Sequence, residues 1–100
     1  MPTAVIAEPE TRERTRLAPR QRVLLHDDDV TPMDFVTEVL RGVFGKPAGE
    51  AEAIMLEAHR GGVALVEVVP LELAELHVDQ ARSKARTRGY PLAFSTEPAD

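Results

Sequence analysis

Three stretches of this chain have proline at the front and glycine at the back, and those brackets constrain the fold more than any other feature. Pro32 leads a stretch that Gly45 ends, Pro47 leads one that runs to Arg60 before Gly61-Gly62, and Pro70 leads one closed by Gly89. Proline lacks an amide hydrogen that the first turn of a helix leaves unused, and glycine adopts the left-handed conformation that ends one. Between the brackets, apolar residues recur at helical spacing. The first helix offers Val36, Val39, Leu40, Val43 and Phe44 to a core, and the second offers Ala51, Ile54, Met55 and Ala58. In the third, Leu73, Leu76, Ala81 and Ala85 are the expected core positions. Thr31 is expected to cap the first helix, with Pro32 at its first position and Asp34 near the capping-box site. Acidic residues gather at the helix starts (Glu50, Glu52, Glu72, Glu75) and basic ones at the ends (Arg60, Arg86, Arg88), which complements the helix dipole.

Three short apolar runs lie between and around these helices: Val23 to Leu25, Val63 to Val69, and Pro91 to Ser95. Their β-branched content and the turn residues beside them predict strands. The order is βααβαβ, an α+β class: one small two-layer domain with three helices packed on a three-stranded antiparallel sheet. Residues 1–20 show no apolar period, carry Pro2 and Pro9, and end in an Arg/Glu/Thr run. They are expected to form a disordered tail ahead of a domain at 21–97. The absence of cysteine removes disulfides and thiolate metal sites and fits a reducing cytoplasm. No run approaches the ~20 apolar residues of a membrane span, and no secretory signal is expected. The net charge of −5 argues against a phosphate-binding face. Residues 1–22 carry five Arg and three Glu, so the rest of the chain is the acidic part. An acidic body suits a cationic ligand, although most acidic faces are simply solvated.

The unusual segment is Asp27-Asp28-Asp29-Val30-Thr31-Pro32-Met33, three carboxylates between a strand end and a helix start. In extended chain Asp27 and Asp29 point one way and Asp28 the other. The pair could hold an ammonium group or a metal ion; the plainer reading is a polar loop with an Asx turn. A calcium loop counted from Asp27 places Asp29, Thr31 and Glu38 at ligand positions but puts Pro32 where the sharp turn needs glycine. Hydrolysis by paired carboxylates lacks a second acidic cluster, and neither Ser83 nor Ser95 sits in a nucleophile elbow. His59, four residues after Met55, either answers the helix C-terminus or converges on the Asp loop. His26 reads as a strand-end residue and His77 as a solvated one. Met33 reads as core packing, or as a flexible wall for an adaptable pocket.

Asp28-Asp29-Val30-Thr31-Pro32-Met33-Asp34-Phe35-Val36 resembles the Asn-Asp-Asp-aromatic-Thr-Pro-Met-Glu-Phe-Val signature of the ClpS family of Clp protease adaptors, with Asp27 at the Asn. Met55-Leu56-Glu57-Ala58-His59 with Gly62 resembles that family's second-helix ending, and Pro70 to Val78 and Pro91-Leu92 fall at matching distances. The resemblance covers about residues 20–97. It implies a monomeric binding module without enzyme activity, cofactor or metal, and without nucleic-acid or membrane contact. It implies capture of proteins whose first residue is Leu, Phe, Tyr or Trp and their delivery to the N-terminal domain of a ClpA-type Clp AAA+ ATPase. Asp27, Asp28, Asp29 and His59 would surround the substrate's α-amino group. Thr31, Pro32, Met33, Val36, Ala58 and Leu92 would line the side-chain pocket, and Glu72 and His77 would face the ATPase. Three departures stand out: Asp27 for Asn, Val30 for an aromatic, and His77 for a frequent Lys. The alternative is a divergent regulator that docks on the ATPase without reading N-termini.

Overall fold

The computed structural model describes residues 19–99. The elements run β1 (Arg20–His26), α1 (Met33–Gly42), α2 (Ala48–Gly61), β2 (Val63–Pro70), α3 (Leu71–Arg88) and β3 (Ala93–Pro98). The sheet order is β2-β1-β3, antiparallel on both sides of β1. This is the α+β, βααβαβ arrangement that the brackets imply. Residues 1–18 of the expected tail lie outside the described residues. Arg20 already pairs with Pro70 inside β1, and the Pro19 carbonyl accepts the Leu71 N–H at 3.0 Å.

The punctuation acts as expected, with shifts of a residue or more. Pro32, Pro47 and Pro70 are the caps themselves, in extended conformation, and no side chain caps any of the three helices. Thr31 is therefore not the cap of α1. Its hydroxyl turns back to Asp28 instead. At the other end α1 finishes at Gly42, short of Gly45. Gly45 adopts φ of +67°, and the Lys46 N–H reaches the Leu40 carbonyl six residues back at 3.0 Å. That closure satisfies a carbonyl that the helix end orphans and requires a residue free to enter left-handed space. Gly62 and Gly89 close α2 and α3 in the same region, at φ of +92° and +75°.

The core is a single cluster between the helices and one sheet face. Val23, Leu25, Val39 and Leu40 are its largest fully enclosed side chains. Each such residue contributes about 1.5–3 kcal/mol through burial. In the third helix Ala81 and Ala85 are buried as expected, but the leucines are not. Leu73 and Leu76 are 39% and 51% exposed, while Ala74, Val78, Ala81 and Ala85 face the sheet. The inward stripe is one residue off the leucines. Small side chains there let the helix axis lie close to the strands, a packing demand that hydrophobicity ranking does not register.

A β-bulge shapes β2. Val23 pairs with Glu67 and Leu24 with Leu65, so Val66 has no partner on β1. The extra residue turns both Val66 and Glu67 toward the helix layer, where strict alternation would send Glu67 to solvent. The Glu67 carboxylate accepts a hydrogen bond from His77 Nδ1 at 2.6 Å, and the His77 ring stands edge-on to Phe44 at 5.3 Å. His77 is thus a half-buried strut between α3 and β2, not the solvated residue its position suggests.

Candidate functional site

Where β1 ends, the Asp27–Pro32 loop crosses to the start of α1, and α2 comes up beside it. A cavity of about 330 Å³ opens between them. Asp27, Asp28, Asp29, Val30, Thr31, Pro32 and Met33 form one wall, Val36 and Met55 with Ala58 and His59 another, and Leu92 closes the β3 side. All ten residues assigned to substrate from the sequence lie around this one cavity. Leu25, His26, Val30 and Met55, which the sequence motif does not single out as substrate contacts, also line it. Met55 was legible as helix-stripe core, and its dual role depends on where α2 crosses α1. Leu92 precedes β3, which begins at Ala93, two residues later than expected. That later start leaves Leu92 outside the strand, 7% exposed and turned to the cavity.

The loop owes its shape to Asp28. Its Oδ1 accepts the Val30 and Thr31 amides at 2.9 and 2.7 Å, and its Oδ2 accepts the Thr31 hydroxyl at 2.9 Å. This is the Asx turn of the plainer reading, built into the cavity wall. Partial burial opposes the charged form, but these three hydrogen bonds outweigh it and hold the Asp28 carboxyl below its ordinary value. A depressed folded-state value stabilises the fold at pH above the ordinary carboxylate value of 3.8, and that contribution is lost as pH falls through the lowered one. We expect Asp28→Ala to cost about 0.5–2 kcal/mol at neutral pH, as loss of a side-chain cap on backbone amides does. Urea unfolding of both forms at pH 7 and below pH ~3 checks this, and the difference should shrink in acid.

Asp27 is held differently. Its backbone amide donates to the Gly62 carbonyl at 3.0 Å, anchoring the loop to the end of α2. Its Oδ1 stands 3.6 Å from His59 Nδ1. Gly62 ends α2 in left-handed conformation, and three residues earlier His59 projects over the loop, half exposed. His59 thus stands in the last turn of α2 and also converges on the Asp loop. Asp29 is exposed at the rim. Met33 and Val30, 44% and 65% exposed, stand at the mouth, while Val36, Ala58 and Leu92 lie buried beneath. Carboxylates and an imidazole thus border an apolar floor. Glu72, in the first turn of α3, and His77 lie away from the cavity. No group of three metal-ligating side chains occurs among the described residues, and the calcium-loop spacing does not assemble. No described helix is long and apolar enough to cross a membrane.

Fold and cavity define the class: a small two-layer α+β domain with a cleft bordered by carboxylates over an apolar floor. The chain belongs to the ClpS family, the adaptor proteins of the ATP-dependent Clp protease, whose family model matches residues 16–95. As such it is an adaptor and not itself a protease. It is 49% identical over 82 residues to the ClpS adapter of Nitratidesulfovibrio vulgaris, covering 82% of this chain and 79% of that one. It is 38% identical over 96 residues to ClpS 2 of Mesorhizobium japonicum, covering 90% and 95%. Among solved structures, Agrobacterium tumefaciens ClpS2 bound to L-phenylalaninamide superposes with a TM-score of 0.78 at 39% identity, covering 80% of this chain and 96% of that one.

Proposed function

We propose that this adaptor binds proteins whose first residue is Leu, Phe, Tyr or Trp and delivers them to a ClpA-type Clp AAA+ ATPase for degradation. One observation carries the reading: a single cavity sets Asp27, Asp29 and His59 beside the apolar Met33, Val36, Ala58 and Leu92. An α-ammonium donates three hydrogen bonds and favours charge-assisted acceptors, while a concave apolar floor reads the adjoining side chain. Capture of an N-terminal amine is a recurring mode of peptide recognition. The phenylalaninamide in the Agrobacterium relative has the same two parts, an amine and a large apolar side chain. Glu72, on the exposed start of α3, is our candidate contact for the ATPase N-terminal domain. His77 supports that helix from beneath through Glu67.

Fluorescence anisotropy with labelled peptides differing only in the first residue tests the proposal. Micromolar or tighter binding is expected for Leu, Phe, Tyr and Trp, and weak binding for Ala, Ser and Asp. No dependence on the first residue would favour the alternative, a regulator that docks on the ATPase without reading N-termini.

The same assay checks the role of Met33 at the mouth. It should crowd the β-carbon of a branched first residue, whose stiff χ1 leaves no escape. Met33→Ala is therefore expected to admit Ile and Val. Discrimination by a single methyl group is worth roughly 1–3 kcal/mol, so the Leu-to-Ile affinity ratio should fall by some tens of fold. An unchanged ratio would remove Met33 as the gate.

A further inference from the structure

We infer that the cavity accepts small primary amines bearing a large apolar group and no carboxylate, and that Asp27 is the residue that turns free amino acids away. The inference rests on the reading of this cavity as an amine site and adds what that site must refuse. A free leucine or phenylalanine carries the same ammonium and side chain as a protein N-terminus. It differs in one group: the carbonyl carbon that is a neutral amide in a protein is an anionic carboxylate in the free amino acid. A pocket that reads only the amine and the side chain would be occupied by the free forms.

The lining answers this with charge. Among the described residues, the cavity wall contains three carboxylates and two imidazoles, and neither Lys nor Arg. Asp28 is committed to Val30 and Thr31. His26 is hydrogen-bonded to Ser95 at 2.6 Å. Asp27 and His59 face each other at 3.6 Å, so a group that contacts His59 also meets the Asp27 carboxylate. The positive end of α1 is the other feature that could welcome an anion. It carries Asp34 in its first turn, and Pro32 at its cap offers no N–H. An α-carboxylate is attached to the same carbon as the ammonium, so it cannot move far from whatever holds the amine. A carboxylate held within ~4–6 Å of another is disfavoured in its charged form. A peptide, an amino-acid amide or an arylalkylamine escapes that repulsion. The volume, at the lower end of the range for small-molecule sites, suits one side chain and its amine. Such amines would therefore compete with protein N-termini for this cavity, while free amino acids would not.

The test titrates the ¹⁵N-labelled full chain with phenethylamine, L-phenylalaninamide and L-phenylalanine, following amide shifts of the Asp27–Met33 loop, for wild type and Asp27→Asn. Each compound is also used to displace a labelled Leu-initiated peptide. The amine and the amide are expected to bind and compete, with phenylalanine at least about tenfold weaker. In Asp27→Asn the amide-to-acid affinity ratio should narrow by about tenfold. Phenylalanine binding as tightly as its amide, or a ratio that Asp27→Asn leaves unchanged, overturns the inference. Peptide binding without any response to phenethylamine also overturns it, yet leaves the adaptor reading intact. Loss of peptide binding as well would remove both.

Discussion

Acetylating the α-amino group of a Leu-initiated peptide is expected to abolish its binding at concentrations where the free amine saturates the protein. Acetylation removes the positive charge and two of the three donors, and adds bulk where Asp27 and His59 stand 3.6 Å apart. Acceptors that lose water and gain no partner cost about 1–3 kcal/mol, and more when charged. Tenfold in affinity corresponds to about 1.4 kcal/mol, so the loss should exceed tenfold. The amine must also be protonated, so affinity for the free peptide should fall as pH rises through the α-amino value of about 8. Anisotropy titrations of the free and acetylated peptides across that range measure both effects. Equal binding of the two forms would end the N-terminal reading.

Leu40→Ala is expected to cause the largest loss of fold stability of any change discussed, about 2–5 kcal/mol. Leu40 is fully enclosed on α1, one turn beyond Val36 in the cavity floor, and its truncation leaves a void that the neighbours only partly fill. Domains of this kind are stable by only about 5–15 kcal/mol, so the variant should lie near the edge of folding. Leu76→Ala, at 51% exposure, should change stability by no more than about 0.5 kcal/mol. Urea midpoints for the two variants decide the point. A Leu76→Ala loss as large as that of Leu40→Ala would mean that α3 faces the sheet with its leucines after all.

The difference between those two leucines marks the limit of what periodicity conveys. In α1 the apolar stripe is dense and the side chains large, so Val36, Val39 and Leu40 are buried as expected. In α3 the sequence offers leucines on one face and alanines on the next. The sheet selects the alanines because close approach of backbone to strand repays more packing than two extra large side chains held at a distance. His77 was illegible for a related reason. Its partner Glu67 faces the helix layer only because a bulge shifts the strand by one residue, and no residue in Val63–Pro70 announces that shift.

Local chemistry by itself determined, to within about three residues, where helices begin and end, because proline and glycine act on their own backbone, whatever lies around them. The three carboxylates between strand and helix likewise singled out the loop, with a cation site and a plain polar turn both open. The sequence alone left open what each carboxylate does. Asp28 turns inward on Val30 and Thr31 and becomes the loop's scaffold, whereas Asp27 meets a histidine 32 positions away in the chain, brought there by the left-handed closure of α2 at Gly62. Leu92 reaches the same cavity from the far end of the domain by stopping just short of β3. Those juxtapositions are tertiary facts. They depend on how two helices cross one sheet, and the energy that sets the crossing comes from the packing of the whole core, of which Val36, Ala58 and Leu92 in the cavity floor are only a part.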